Sequence, residues 1–111
     1  MNTRELRAEV RVPVIRRGNL SVGSDWFGCM VMDMSKSGLL LVSNRHLEVG
    51  QIFDFRCELW TGKILNCMIE IMHSNDDSAG AMITEIDEEA TKLLQAYLEQ
   101  KLSSTRSSVD H

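Results

Sequence analysis

Residues 51–60, QIFDFRCELW, alternate between two faces with period two. Phe53, Phe55, Cys57 and Leu59 fall on one parity, and Ile52, Asp54, Arg56, Glu58 and Trp60 on the other. Successive side chains of an extended chain point to opposite sides, so this pattern predicts a half-buried strand with the Phe/Cys/Leu face inward. Thr61-Gly62 follows as a hairpin signal. KILNCMIEIMHS then resumes the alternation, with Leu65, Cys67, Ile69 and Ile71 against Ile64, Asn66, Met68, Glu70 and Met72. A chain with this at its centre is built on hairpin-linked strands.

Four further strands are expected around that hairpin. One lies near residues 15–22 and ends at the Gly23-Ser24 turn; a second runs from Trp26 to about Asp33. GLLLVS is a third, NRHLEVG a connection, NDDSAG a polar turn and AMITEI the closing strand. Ahead of them, residues 1–14 show no clean period, and Pro13 disfavours a helix and pushes Val12 toward extended geometry. This segment is read as a flexible arm. After residue 86 the period changes. Ala90, Leu93, Leu94, Tyr97, Leu98 and Leu102 recur at helical spacing, with Asp87 as N-cap and Glu88 and Glu89 in the positive first turn. Residues 103–111 are polar and are expected to be disordered. Short hairpin-linked strands followed by one amphipathic helix favour an antiparallel barrel or sandwich, with the helix over one mouth or outer face. The methionines Met30, Met32, Met68, Met72 and Met82 are read as core packing.

At 111 residues this is one domain, long enough to bury a core without disulfides or metals. Cys29, Cys57 and Cys67 lie far apart inside apolar runs, without Cys-x-x-Cys or histidine at ligand spacing, which favours free buried thiols. No metal is expected. No apolar run reaches membrane-spanning length, and the charged start MNTRELRAEVR lacks the apolar stretch of a signal peptide. The expected location is cytoplasmic, with no membrane insertion. Net charge is −4. Residues 1–17 carry five arginines against Glu5 and Glu9, a net +3, so the remainder stands at −7. A basic arm on an acidic body suits a small, local anionic partner and argues against DNA or RNA. No nucleophile–base pair, nucleophile elbow or phosphate-cradling glycine loop is recognisable, so no enzymatic activity or cofactor is expected.

Two short patterns remain. DMSKSG at residues 33–38 joins two expected strands and contains D-x-S-x-x-G. Asp33 accepts hydrogen bonds, and Ser35 both donates and accepts. The two share a strand parity and can face one side. Ser37 and Gly38 permit a sharp bend, Gly38 being free to take positive φ. A plain side-chain-capped turn explains this equally well taken alone. The arm carries R-x-x-x-R at Arg7 and Arg11. Guanidinium groups bind phosphate bidentately and stack on purine faces, although in an arginine-rich arm that spacing alone is a weak signal.

Together, in this order around one strand and ahead of a strand-rich region and a terminal helix, the two patterns closely resemble the PilZ domain family, bacterial receptors for the second messenger cyclic di-GMP. The resemblance covers residues 4–102 and includes GLLL directly after the second motif, and Gly80 and Met82 near the last strand. It implies a mainly β fold: a six-stranded antiparallel barrel over residues 15–102 with a C-terminal helix. It also implies that Arg7 and Arg11 contact phosphate and guanine faces, while Asp33, Ser35 and Gly38 serve as guanine-edge and turn positions. Lesser candidates are Arg4, Leu6, Met34 and His73. Many members carry an arginine where this chain has Leu6, and leucine cannot contact a second ligand molecule as arginine does. The implied activity is that of a stand-alone receptor that relays its signal by contact with an effector protein. The alternative is an interaction module of the same fold that does not bind the ligand.

Overall fold

The computed structural model describes residues 9–109, with side chains described through residue 103. Six strands precede one helix: β1 (Val12–Val22), β2 (Asp25–Met34), β3 (Gly38–Val42), β4 (Ile52–Trp60), β5 (Lys63–Ser74) and β6 (Ala79–Glu85), then α1 (Glu88–Val109). All neighbours are antiparallel, and the sheet closes on itself in the order β1-β2-β3-β6-β5-β4, with β4 returning to β1 through Gly18–Ser21. The mainly β barrel expected from the strand pattern and the family resemblance is the fold observed. It is not a simple meander, because β3 pairs with β6 and the connection between β3 and β4 crosses over instead.

The alternation in β4 and β5 holds residue by residue. Phe53, Phe55, Cys57 and Leu59 are buried, as are Leu65, Cys67, Ile69 and Ile71. They join Leu20, Val31, Met34, Leu39 and Leu41 in one continuous core. The helix is part of that core. Leu94, Tyr97 and Leu98 are buried in the same cluster, and Tyr97 meets Trp60 edge to face at 5.3 Å. The indole N–H of Trp60 donates to Gln100 Oε1 at 2.6 Å, which pins the helix to the end of β4. Asp87 caps the helix as expected, its Oδ1 accepting the Ala90 N–H at 2.7 Å. The three cysteines are free and buried. Burial is the main cause that pushes their thiols up, to about 12 for Cys29 and Cys67 and to about 11 for Cys57. At neutral pH they are protonated, apolar interior groups without nucleophilic character.

Three expectations need correction. Strand β1 starts at Val12, not 15, and so contains Pro13. This is tolerated because β1 pairs there only with β2 and meets β4 only further along, so the missing N–H costs no bond on the open side. The helix runs to Val109, beyond the expected limit at Leu102; no glycine or proline interrupts residues 103–109. The methionines read as core are mostly outside it: Met30, Met32 and Met68 are half-buried, Met72 and Met82 exposed. They stand on the outward parity, with Met68 opposite Asp54 and Met82 opposite Glu70. Only Met34 is fully buried among these strands' methionines.

The register of β1 against β2 slips between Pro13 and Arg16, and Ile15 in that bulge has φ of 49° while its side chain is 64% exposed. A β-branched residue in this region is strained by roughly 1–3 kcal/mol. Glycine removes that strain and sacrifices little buried surface here, at an entropic cost of about 0.5–1 kcal/mol. Ile15→Gly is therefore expected to raise stability by about 1 kcal/mol, read from the urea midpoint. A lower midpoint would show that the bulge is not strained.

Candidate functional site

The turn between β2 and β3 is built by Ser35. Its hydroxyl is buried, accepts the Gly38 N–H at 3.1 Å and lies beneath a backbone bond from the Ser35 N–H to the Gly38 carbonyl at 2.9 Å. The Ser37 carbonyl accepts the Ile83 N–H at 2.7 Å, which ties the turn to β6. Gly38 does not take positive φ, contrary to expectation. Its requirement is space: a β-carbon there would lie 2.8 Å from the Ala81 carbonyl oxygen across the β3–β6 pair. Close strand approach, and not turn conformation, excludes a side chain.

The segment before β1 folds onto this turn. Arg11 donates from Nε to Asp33 Oδ1 at 2.9 Å, and its Nη2 lies 2.8 Å from the same oxygen. The two side chains are 48% and 25% exposed, so the pair is a partly solvated one, worth about 0.2–1 kcal/mol. Two residues earlier, the Glu9 carboxylate accepts from both turn hydroxyls. Ser35 Oγ donates to Oε1 at 3.0 Å, and Ser37 Oγ lies 2.8 Å from Oε1 and 2.7 Å from Oε2.

These groups rim a cleft of about 470 Å³, within the size range of small-molecule sites. Glu9, Arg11, Asp33 and Ser37 stand on one side. Leu40, Met72 and Met82 supply apolar wall, and His73 closes the far side. Gly80 faces His73 across β5 and β6, and a β-carbon at Gly80 would land on the imidazole ring. The glycine therefore lets His73 lie flat over the sheet at the edge of the cleft. Among the described residues the result is a shallow site with one guanidinium, two carboxylates, a hydroxyl, an imidazole and thioether walls. It offers hydrogen bonding to a polar edge and contact surface to a flat ring. Among the described residues no His/Cys/Asp/Glu group is arranged to hold a metal ion, and no helix is long and apolar enough to cross a membrane.

Of the residues singled out in the sequence, Arg11, Asp33, Gly38 and His73 line this cleft, and Ser35 supports it from beneath. Met34 does not belong to it, being fully buried in the core. Arg4, Leu6 and Arg7 lie outside the described residues. Sequence reasoning missed Ser37, Leu40 and Met72 as lining residues. It read Gly80 only as a mark of resemblance, Met82 as that and as core packing, and Glu9 only in the charge balance of the arm. The outward parity of β5, which places Met72 on the exterior, was the available signal.

The family model described as "PilZ domain" matches residues 5–100 of the chain. No curated protein matches it by sequence. Among solved structures, the chain is similar to the PilZ domain of YcgR from Escherichia coli with c-di-GMP. There the TM-score is 0.74 at 9% identity, over 92% of this chain and 95% of that one. It is similar to YcgR from Escherichia coli in complex with c-di-GMP at a TM-score of 0.76 and 10% identity, over 92% of this chain and 48% of that one. It is also similar to the Bacillus subtilis inhibitor of motility, MotI/DgrA, at a TM-score of 0.72 and 13% identity, over 86% of this chain and 51% of that one. The chain thus spans about half the length of these last two proteins. At such identities the likeness speaks for the fold.

Gly38→Ala is expected to lower stability by about 1–3 kcal/mol, since its neighbour is backbone and cannot rotate away. Denaturant unfolding reads this directly. A midpoint equal to wild type would mean that β3 and β6 are further apart than described.

Proposed function

The chain belongs to the PilZ domain family, and from that premise we propose that it is a receptor for cyclic di-GMP that passes the signal to an effector protein by contact. The observation that carries this reading is the meeting of the two motifs. Arg11 and Asp33, 22 residues apart in the chain, share a salt bridge at the rim of one cleft. Both contacts use Oδ1 of Asp33, so among the described residues Oδ2 is left as an acceptor. A guanine edge presents two parallel N–H donors, which a carboxylate accepts in pairs. Freed from Asp33, the Arg11 guanidinium can take a phosphodiester oxygen in a charge-assisted bond. Leu40, Met72 and Met82 offer apolar and polarisable contact to the purine faces, and His73 borders the same space.

In this reading Arg7 joins Arg11 on the phosphates. Arg4 is a lesser contributor, and Leu6 favours a single ligand molecule over an intercalated pair. Ser35 and Gly38 hold the turn, and Met34 supports it from the core without touching the ligand. The arm closes over the ligand, and the changed surface is what the effector recognises. The protein is a binding module of the cytoplasm and not an enzyme, needs no cofactor, and neither binds DNA or RNA nor inserts into a membrane.

The test is calorimetric titration of cyclic di-GMP into wild type and two variants. Wild type is expected to bind at micromolar concentration or tighter. Arg11→Ala should cost about 2–4 kcal/mol of binding and Ser35→Ala about 1–2 kcal/mol. Equal binding by wild type and Arg11→Ala would remove the residue assignments. Absence of binding by folded wild type, checked by a second method, would favour the ligand-free interaction module.

A further inference from the structure

We propose that Glu9 is an affinity-setting residue of this cleft, a resident oxyanion that the incoming ligand must displace. The inference rests on the reading of the cleft as a cyclic di-GMP site, and concerns what that site holds before the ligand arrives. The hydroxyls of Ser35 and Ser37 already have a partner. Both donate to the Glu9 carboxylate, with three contacts of 2.7–3.0 Å. Hydroxyl bonds to an ionised acceptor are stronger than neutral ones; the Ser37 contact to Oε2 at 2.7 Å has the short length that goes with this, and the Ser35 contact at 3.0 Å is of ordinary length. The turn therefore already shows the chemistry of an oxyanion receptor, with a side chain of the chain itself in place.

Two effects then oppose an anionic ligand. The first is occupancy: Ser37 and Glu9 both line the cleft, so a ligand oxygen that is to use the Ser37 hydroxyl must first replace a carboxylate oxygen. The second is charge. Glu9 brings a formal negative charge to the rim of the cleft that Arg11 also lines, beside Asp33, which already uses part of the guanidinium. A phosphodiester approaching this rim meets two carboxylates and one guanidinium among the described residues. Binding must therefore swing Glu9 aside. Glu9 and Arg11 stand two residues apart in the chain, so a shift of the backbone there moves both. Release of Glu9 and transfer of Arg11 from Asp33 to the ligand become one event. The acid makes the site less sensitive and couples occupancy to movement of the arm.

The two effects separate by substitution. Glu9→Gln removes the charge and keeps an oxygen that can accept from the serines. Glu9→Ala removes both. Calorimetry with cyclic di-GMP on wild type, E9Q, E9A and Arg11→Ala, each checked for folding by thermal unfolding, gives the answer. Glu9→Ala is expected to bind about tenfold tighter than wild type, a change of about 1.4 kcal/mol, with Glu9→Gln between the two. Ligand-free Glu9→Ala should also melt below wild type, because it loses the bonds to the turn, yet gain a larger rise in melting temperature when saturated with ligand. Acquired binding in Glu9→Ala, where wild type shows none, supports the proposal in its strongest form. If wild type binds and Arg11→Ala does not, while both Glu9 variants bind as wild type or more weakly, the proposal is overturned and the receptor reading stands. If no variant binds cyclic di-GMP, the receptor reading fails and this proposal fails with it.

Discussion

The approach of Gly38 to the Ala81 carbonyl is the constraint on which fold and cleft both depend. Strand β3 is short and pairs with β6, far away in sequence, so the barrel closes only if these two strands meet. The backbone at Gly38 can come that near because it carries no side chain. The same contact fixes the turn above it. Ser37 is tied to Ile83 on β6, and Ser35 holds Gly38 from below. With the turn so placed, Asp33 and Ser37 face the wall made by Met72, His73 and Met82. Barrel closure and the shape of the cleft are one arrangement viewed from two sides.

A barrel closed in this way carries a first segment that is held by contacts of a different kind. The core is continuous from β1 to the helix, while the contacts that bind the first segment to the turn are partly exposed hydrogen bonds and one ion pair. The ion pair exchanges against solvent or another anion at little net cost, whereas the Glu9 contacts, made to a charged acceptor, yield only to a partner that replaces them. A ligand offering guanine edges and phosphate oxygens offers substitutes for each of them. This is the physical sense in which the arm can be re-sorted without disturbing the strands.

How much of this was legible in the sequence follows from the range of each signal. Strands β4 and β5 were readable because alternation is local and repeated, and Asp87 because a cap acts within one helical turn. The family resemblance brought Arg11 and Asp33 forward as partners on a common ligand. It did not show that they bind each other. The β3–β6 pairing is non-sequential and leaves no periodic trace. Gly38 was noticed for the wrong reason, since a glycine in a turn suggests positive φ while the actual demand comes from a strand 43 residues away (Gly38 to Ala81). The methionines were misplaced because hydrophobicity was weighed without the face it stands on: Met72 belongs to the outward parity, next to the cleft. Glu9 and Ser37 were invisible as a pair, since nothing local links an acid in the arm to a hydroxyl in a turn 28 residues later.

The measurement closest to the central claim is an amide NMR titration of the labelled protein with cyclic di-GMP. It reports where the ligand acts without relying on any substitution. The account predicts perturbed signals along residues 9–11, 33–40, 72–73 and 80–82, with the centre of β4 and the buried face of the helix unmoved. Perturbation concentrated on residues 52–58 of β4 and 64–68 of β5, or none at saturating ligand, would contradict it.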